Sequence, residues 1–97
     1  MTIDDIVELF KFHYLTDVPY GKSMSDYYCG ITNDLKRREE EHNAKILFAV
    51  KMANANEAKE VEAKLHDMGF DTGKQLGNGG DDSVFVYIYR KNNNTVQ

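Results

Sequence analysis

Within LKRREEEH, residues 35–42, Leu35, Arg38 and His42 recur at i, i+3 and i+7, which puts them on one face of a helix. Leu35 is the only apolar residue between Asp34 and Asn43, so it alone can anchor that helix by apolar burial. A guanidinium and an imidazole flank the contact, and turning them toward a sheet costs free energy unless they are paired or line a wet cleft. The plainer alternative is a loosely docked helix with solvated charges and i,i+4 pairs such as Lys36–Glu40 and Arg37–Glu41. Glu62 raises a similar choice. It lies four residues after Ala58 and three before Leu65, at the edge of an apolar stripe. A carboxylate there is either half of a partly buried ion pair or a metal ligand at the rim of a cleft. Tyr14 and Tyr28 stand in segments that read as strands, where most tyrosines serve packing. No CxxC, HxxxH or GxxxxGK occurs, so zinc and P-loop chemistry have no motif behind them. Cys29, in mid-strand, reads as a small core residue, and Asp81 and Asp82 as turn formers.

These residues need a scaffold, and the hydrophobic pattern supplies one. Thr2 with Asp5 makes a capping-box start for a short helix to about Leu9. From Phe10 to Leu15 the aromatics alternate with Lys11 and His13, a strand pattern. TDVPYGKSMS, with the single proline, reads as a loop, and Asp26 to Ile31 as a second strand pairing with the first in a hairpin. Asn33 or Asp34 caps the charged helix, which runs to about His42. Lys45 to Met52 reads as a strand buried on both faces. Asn54 opens a helix with Ala58, Val61, Leu65 and Met68 on one stripe and Gly69 as its stop. After a glycine-rich loop over residues 77–83, Val84 to Arg90 forms the last strand. The order α-β-β-α-β-α-β predicts an α+β domain: a small, mostly antiparallel sheet flanked by helices, with an N-terminal helix and an extra C-terminal strand. It spans 1–90 as one domain, with 91–97 as a disordered tail.

A chain of 97 residues buries roughly 60–70% of its unfolded surface, enough for one core. No apolar run approaches the ~20 residues of a membrane span. MTIDDIVELF lacks the basic start of a signal peptide, and one cysteine forms no internal disulfide, so the expected setting is cytoplasmic, away from membranes. The net charge of −4 opposes the basic excess that phosphate binding normally brings, although Lys36, Arg37 and Arg38 gather positive charge in one place.

The run Tyr28-Cys29-Gly30, Ile31-Thr32-Asn33-Asp34-Leu35, then Arg38 eight residues after the glycine and His42 four after the arginine, resembles the second half of a GIY-YIG nuclease domain. In that resemblance Phe12-His13-Tyr14 stands for the first triplet, with Tyr14 at its tyrosine. Ala58, Glu62 and Leu65 are similar to the helix that carries the family's metal-binding glutamate, and Asn78 falls where the family has an asparagine near the end of the domain.

The resemblance implies a metal-dependent endonuclease that hydrolyses phosphodiester bonds of nucleic acid, with DNA as the expected substrate. It gives Tyr14, Tyr28, Arg38, His42 and Glu62 catalytic roles and makes Lys36, Arg37 and Asn78 substrate contacts. Glu62 would hold magnesium or manganese, with waters completing the shell. Arg38 would meet the charge developing on the phosphate. Tyr28 or Tyr14, on adjacent strands, would position or deprotonate the attacking water, its pKa lowered by Arg38 or the metal. His42 would orient the water or touch the phosphate. The competing expectation is a domain of the same fold that is catalytically weak or inactive and acts as a binding module through a protein or nucleic-acid partner.

Overall fold

The computed structural model describes residues 2–17, 23–72 and 82–95. Its first element is a single long helix, α1 (Ile3–Asp17). The expected capping box is there: the Thr2 amide donates to Asp5 Oδ2 and the Asp5 amide to Thr2 Oγ1, each at 3.1 Å. This corrects the expected strand over Phe10 to Leu15, which is the second half of α1. A strand would put Phe10 and Phe12 on the same face, yet Phe10 is 0% exposed and Phe12 58%. Phe10 continues the stripe begun by Ile6 and Val7, and Tyr14 follows one turn later. Packing of that stripe overrides the strand preference of the aromatics. The hairpin expected from this segment therefore does not form.

A short 3-10 turn at Met24–Asp26 leads into β1 (Tyr27–Thr32). Then comes α2 (Leu35–His42), capped by the Asp34 side chain, which accepts from the Arg37 amide, and ended by Asn43 in the left-handed region at φ 51°. β2 (Phe48–Lys51) is shorter than expected and only half-buried. It is an edge strand, so burial on both faces is also corrected. α3 (Ala55–Met68) begins at Asn54, whose side chain accepts from the Glu57 amide, and stops at Gly69 with φ 123°. β3 (Phe85–Arg90) completes the order α-β-α-β-α-β.

The sheet runs β1-β3-β2, and both pairings are antiparallel. It is an α+β fold with helices on both faces. Alternation along the strands sorts the side chains. Cys29, Ile31, Val86, Ile88, Phe48 and Val50 share one face and pack with Phe10 of α1 and with Ala58, Val61 and Leu65 of α3. The opposite face carries Tyr28, Gly30, Tyr87, Tyr89 and Ala49, and α2 covers it through His42. Beside β1, Asp71 adds one parallel bridge at Tyr28: the Cys29 amide donates to the Asp71 carbonyl at 2.7 Å, and the Asp71 amide to that of Tyr27 at 3.0 Å. Lys91 extends the ladder by donating its amide to the Asp26 carbonyl at 2.8 Å. Among the described residues no helix is long and apolar enough to cross a membrane.

The two covering helices are held by different forces. Val61 and Leu65 of α3 are fully buried, each contributing about 1.5–3 kcal/mol relative to exposure. On α2 Leu35 is only half-buried. Polar bonds replace what it lacks: His42 meets two tyrosine hydroxyls, and Glu39 Oε2 accepts from the Ile46 amide at 2.8 Å. Each such bond nets about 0.5–1.5 kcal/mol.

Candidate functional site

His42 is 5% exposed and lies between two strand tyrosines. Its Nε2 is 2.8 Å from the Tyr87 hydroxyl and its Nδ1 is 3.1 Å from that of Tyr89. Register explains why both reach one ring. Tyr87 and Tyr89 are two apart on the central strand, so they point the same way, with ring planes within 8° of parallel. Tyr28, opposite Tyr89 on β1, closes the group, its ring centre 5.3 Å from Tyr89 and 5.1 Å from His42.

Gly30 is part of the same construction. It pairs with Tyr87, whose ring lies over it so closely that a Cβ built on Gly30 would sit 2.6 Å from Tyr87 Cζ and would meet the hydroxyl as well. A glycine in mid-strand thus marks close approach by a neighbouring group. Gly30→Ala should push the Tyr87 ring off His42 and cost about 1–3 kcal/mol, the range for overpacking a tight site. Thermal unfolding checks the cost, and the His42 ring resonances check the displacement. An unchanged melting temperature with unmoved resonances would show that the ring does not need the space.

One turn before His42, Arg38 occupies the rim. Its side chain is 34% exposed; Nη1 lies 3.0 Å from Glu41 Oε1, and the guanidinium charge acts on the Tyr87 phenol. The buried Nε finds no partner among the described residues. Burial works against the guanidinium charge, but the bond to Glu41 and the neighbouring Tyr87 phenol outweigh it and hold the pKa above its usual value. Burial likewise pushes the Tyr87 phenol well above the ordinary 10.0, with Arg38 only partly offsetting it. For Tyr28 burial again raises the phenol, Arg38 pulls it down and Glu62 pushes it up. Both charges therefore act on one hydroxyl. The expectation that Arg38 brings the Tyr28 pKa below its usual value is corrected, because burial prevails.

Burial also raises Tyr27, a core tyrosine whose hydroxyl donates to Asp17 Oδ2 at 2.6 Å. A folded-state pKa above the unfolded value leaves stability intact below about pH 10 and removes it as pH rises through the folded values. Denaturant unfolding should give constant stability from neutral pH to about 10 and a steady fall above it. Tyr87→Phe should make that fall shallower. An equally steep fall in the variant would remove Tyr87 as a source.

The predicted site residues separate into groups. Tyr28, Arg38 and His42 come together. Tyr14 is on α1, on the other side of the sheet, packed edge-on against Tyr27 and Phe70 with ring centres 5.1 and 5.7 Å away. It does not stand on a strand beside Tyr28. The adjacent strand tyrosines there are Tyr87 and Tyr89, which no local spacing ties to the charged helix. Glu62 is 3% exposed on α3, the helix across the sheet from α2, yet its charge reaches Tyr28 and Cys29 on the edge strand. Lys36 is exposed; Arg37 donates from Nη2 to Asn33 Oδ1 at 2.9 Å and approaches Glu41 at 4.0 Å. Asn78 lies outside the described residues. His42 does not face solvent, so the expected contact with water or phosphate is replaced by its two tyrosine partners.

As a metal ligand Glu62 offers one hard oxygen donor of the kind magnesium takes, but at 3% exposed it leaves little room for the waters that ion keeps, so an ion there would need the surrounding side chains to move. No group of three His, Cys, Asp or Glu residues able to hold a metal occurs among the described residues. No family model, curated protein or solved structure matches the chain.

Proposed function

We propose that this domain is a metal-dependent endonuclease of the GIY-YIG type, acting on nucleic acid with DNA as its substrate. The observation that carries the reading is Arg38. A helix with almost no apolar anchor turns its inner face to the sheet, and one half-exposed guanidinium stands at the rim there, its charge acting on the Tyr28 and Tyr87 phenols. His42 and the two tyrosines dock α2 on the sheet, and that docking leaves Arg38 at the rim with its cation open to an anion.

In this reading Arg38 meets the non-bridging phosphate oxygens and the charge that grows on them as the bond breaks. Its ion pair with Glu41 is exposed and weak, so a phosphate can displace it. Tyr28, a neutral phenol at physiological pH, orients the attacking water or a phosphate oxygen by hydrogen bonding; its raised pKa makes it a poor general base. Glu62 would hold the magnesium or manganese ion, which when bound would polarise a phosphoryl oxygen and stabilise the leaving oxygen. Lys36 and Arg37, exposed in the first turn of α2, would touch the neighbouring backbone phosphates. Tyr14 has no part in it.

A second reading has an observation of its own. With a net charge of −4 and Glu41 bridging Arg37 and Arg38, the surface is poor in free positive charge. A domain of this kind would serve as a binding module, with a protein partner supplying specificity. The two part in one assay. Branched, flapped and single-stranded DNA, and RNA, are incubated with the protein in magnesium or manganese and resolved on denaturing gels. Metal-dependent nicking supports the nuclease. Intact substrates throughout, with a protein partner co-purifying, would transfer the assignment to the binding module.

A further inference from the structure

We infer that Arg37 and Arg38 form one seat for phosphate oxygens, and that Glu41 fills this seat in the free protein and so sets the affinity for substrate. This rests on the reading of Arg38 as the phosphate-facing group. Glu41 Oε1 lies 3.0 Å from Arg38 Nη1 and 4.0 Å from Arg37 Nε, so a single carboxylate oxygen engages both cations. Arg37 is held to that aim from its other end. Its Nη2 donates to Asn33 Oδ1 at 2.9 Å, and Asn33 Nδ2 donates in turn to Asp82 Oδ2 at 2.8 Å. Because a guanidinium only donates and a carboxylate only accepts, the Asn33 amide can stand only this way round. Two guanidinia turned toward one anionic oxygen suit a phosphate as well as a carboxylate, since both offer charge-assisted acceptors.

Helix energetics do not favour Glu41 where it stands. It lies in the last turn of α2, whose free carbonyls oppose a negative charge. With Arg37 four residues before it, the pair also runs in the weaker order, cation N-terminal to anion. The two preceding glutamates behave differently. Glu39 accepts from the Ile46 amide, and Glu40 is exposed with no ionic partner among the described residues. The Glu41 side chain is 50% exposed and that of Arg37 54%, so an incoming phosphate can reach the seat and the displaced carboxylate can turn into water.

The test compares Glu41→Gln with Glu40→Gln, each of which removes one negative charge from the same helix. Binding is measured on the intact chain without divalent metal, so that nothing is cut. One probe is inorganic phosphate, followed through the Nε–H resonances of Arg37 and Arg38. The other is a fluorescent single-stranded DNA oligonucleotide, followed by anisotropy. Glu41→Gln should bind phosphate about three- to fivefold more tightly than wild type, the equivalent of one freed surface ion pair. Its gain on the oligonucleotide should be at least as large at low salt and should shrink as salt rises. Glu40→Gln should stay within about twofold of wild type, because a solvated charge that meets neither arginine is largely screened. The melting temperature of Glu41→Gln should stay level or rise. Equal gains in the two variants would reduce the effect to net charge and overturn the proposal. A lowered melting temperature in Glu41→Gln overturns it too, as do phosphate titrations that leave the Arg37 and Arg38 resonances unmoved. The phosphate arm needs no nucleic acid. Tighter phosphate binding in Glu41→Gln, with no oligonucleotide bound by any of these proteins, would end the nuclease reading and leave Glu41 in its seat.

Discussion

Arg38→Ala should reduce metal-dependent cleavage by about a hundredfold to a thousandfold, the range for loss of one preorganised donor to a developing oxyanion. The fold should survive, because the exposed pair with Glu41 contributes at most about 1 kcal/mol. The losses that matter are inside. Tyr87 gives up its cationic partner, and Tyr28 gives up the charge that lowers its pKa, so both phenols should titrate higher than in wild type. Arg38→Lys separates charge from shape. A lysine restores a cation but not the planar fork that can hold two phosphate oxygens at once. Partial activity is expected from it, well below wild type. Full activity in Arg38→Ala, measured on protein whose melting temperature matches wild type, would remove the arginine from the mechanism.

That arginine was legible in the sequence because its helix is so poor in apolar residues. Asp34 as a cap, Leu35 as the lone anchor, and Arg38 and His42 at helical spacing identify an inward polar face, and the structure has that face. The cap at Asn54 and the stop at Gly69 delimit α3 in the same local way. The second half of α1 was not legible. FKFHY satisfies a period of two and continues a period of 3.6, and the choice is made by partners distant in sequence. Phe10 stacks edge-on to Phe48, and Tyr14 packs on Phe70. The same limit hid Tyr87 and Tyr89. Their alternation in VFVYIYR is visible and puts both on one face, but nothing local says that this last strand enters between the other two. Only that topology brings them to His42, across 45 and 47 positions of chain. Gly30 held a clue to it, since a glycine in mid-strand asks what lies above it.

The strongest test of the metal assignment is Glu62→Gln. The amide keeps the size and hydrogen-bonding reach of the carboxylate and removes only its charge, which is what a hard cation binds. As a ligand, Glu62 is indispensable to cleavage, so activity should fall by orders of magnitude. The melting temperature should stay level or rise, because a carboxylate 3% exposed beside Val61 and Leu65 carries a desolvation cost that the amide lacks. Tyr28 supplies an independent readout with a definite sign. The Glu62 charge opposes the Tyr28 phenolate, so removing it should bring that pKa down toward 10.0, the opposite of what Arg38→Ala does. Opposite displacements of one phenol would place the two charges on either side of a single site. If Glu62 serves only as a partner in a structural ion pair, the substitution should lower the melting temperature and leave the activity of the folded fraction unchanged. Melting, cleavage and phenol titration on one preparation distinguish these outcomes, and a retained rate with a lowered melting temperature would take the metal away from Glu62.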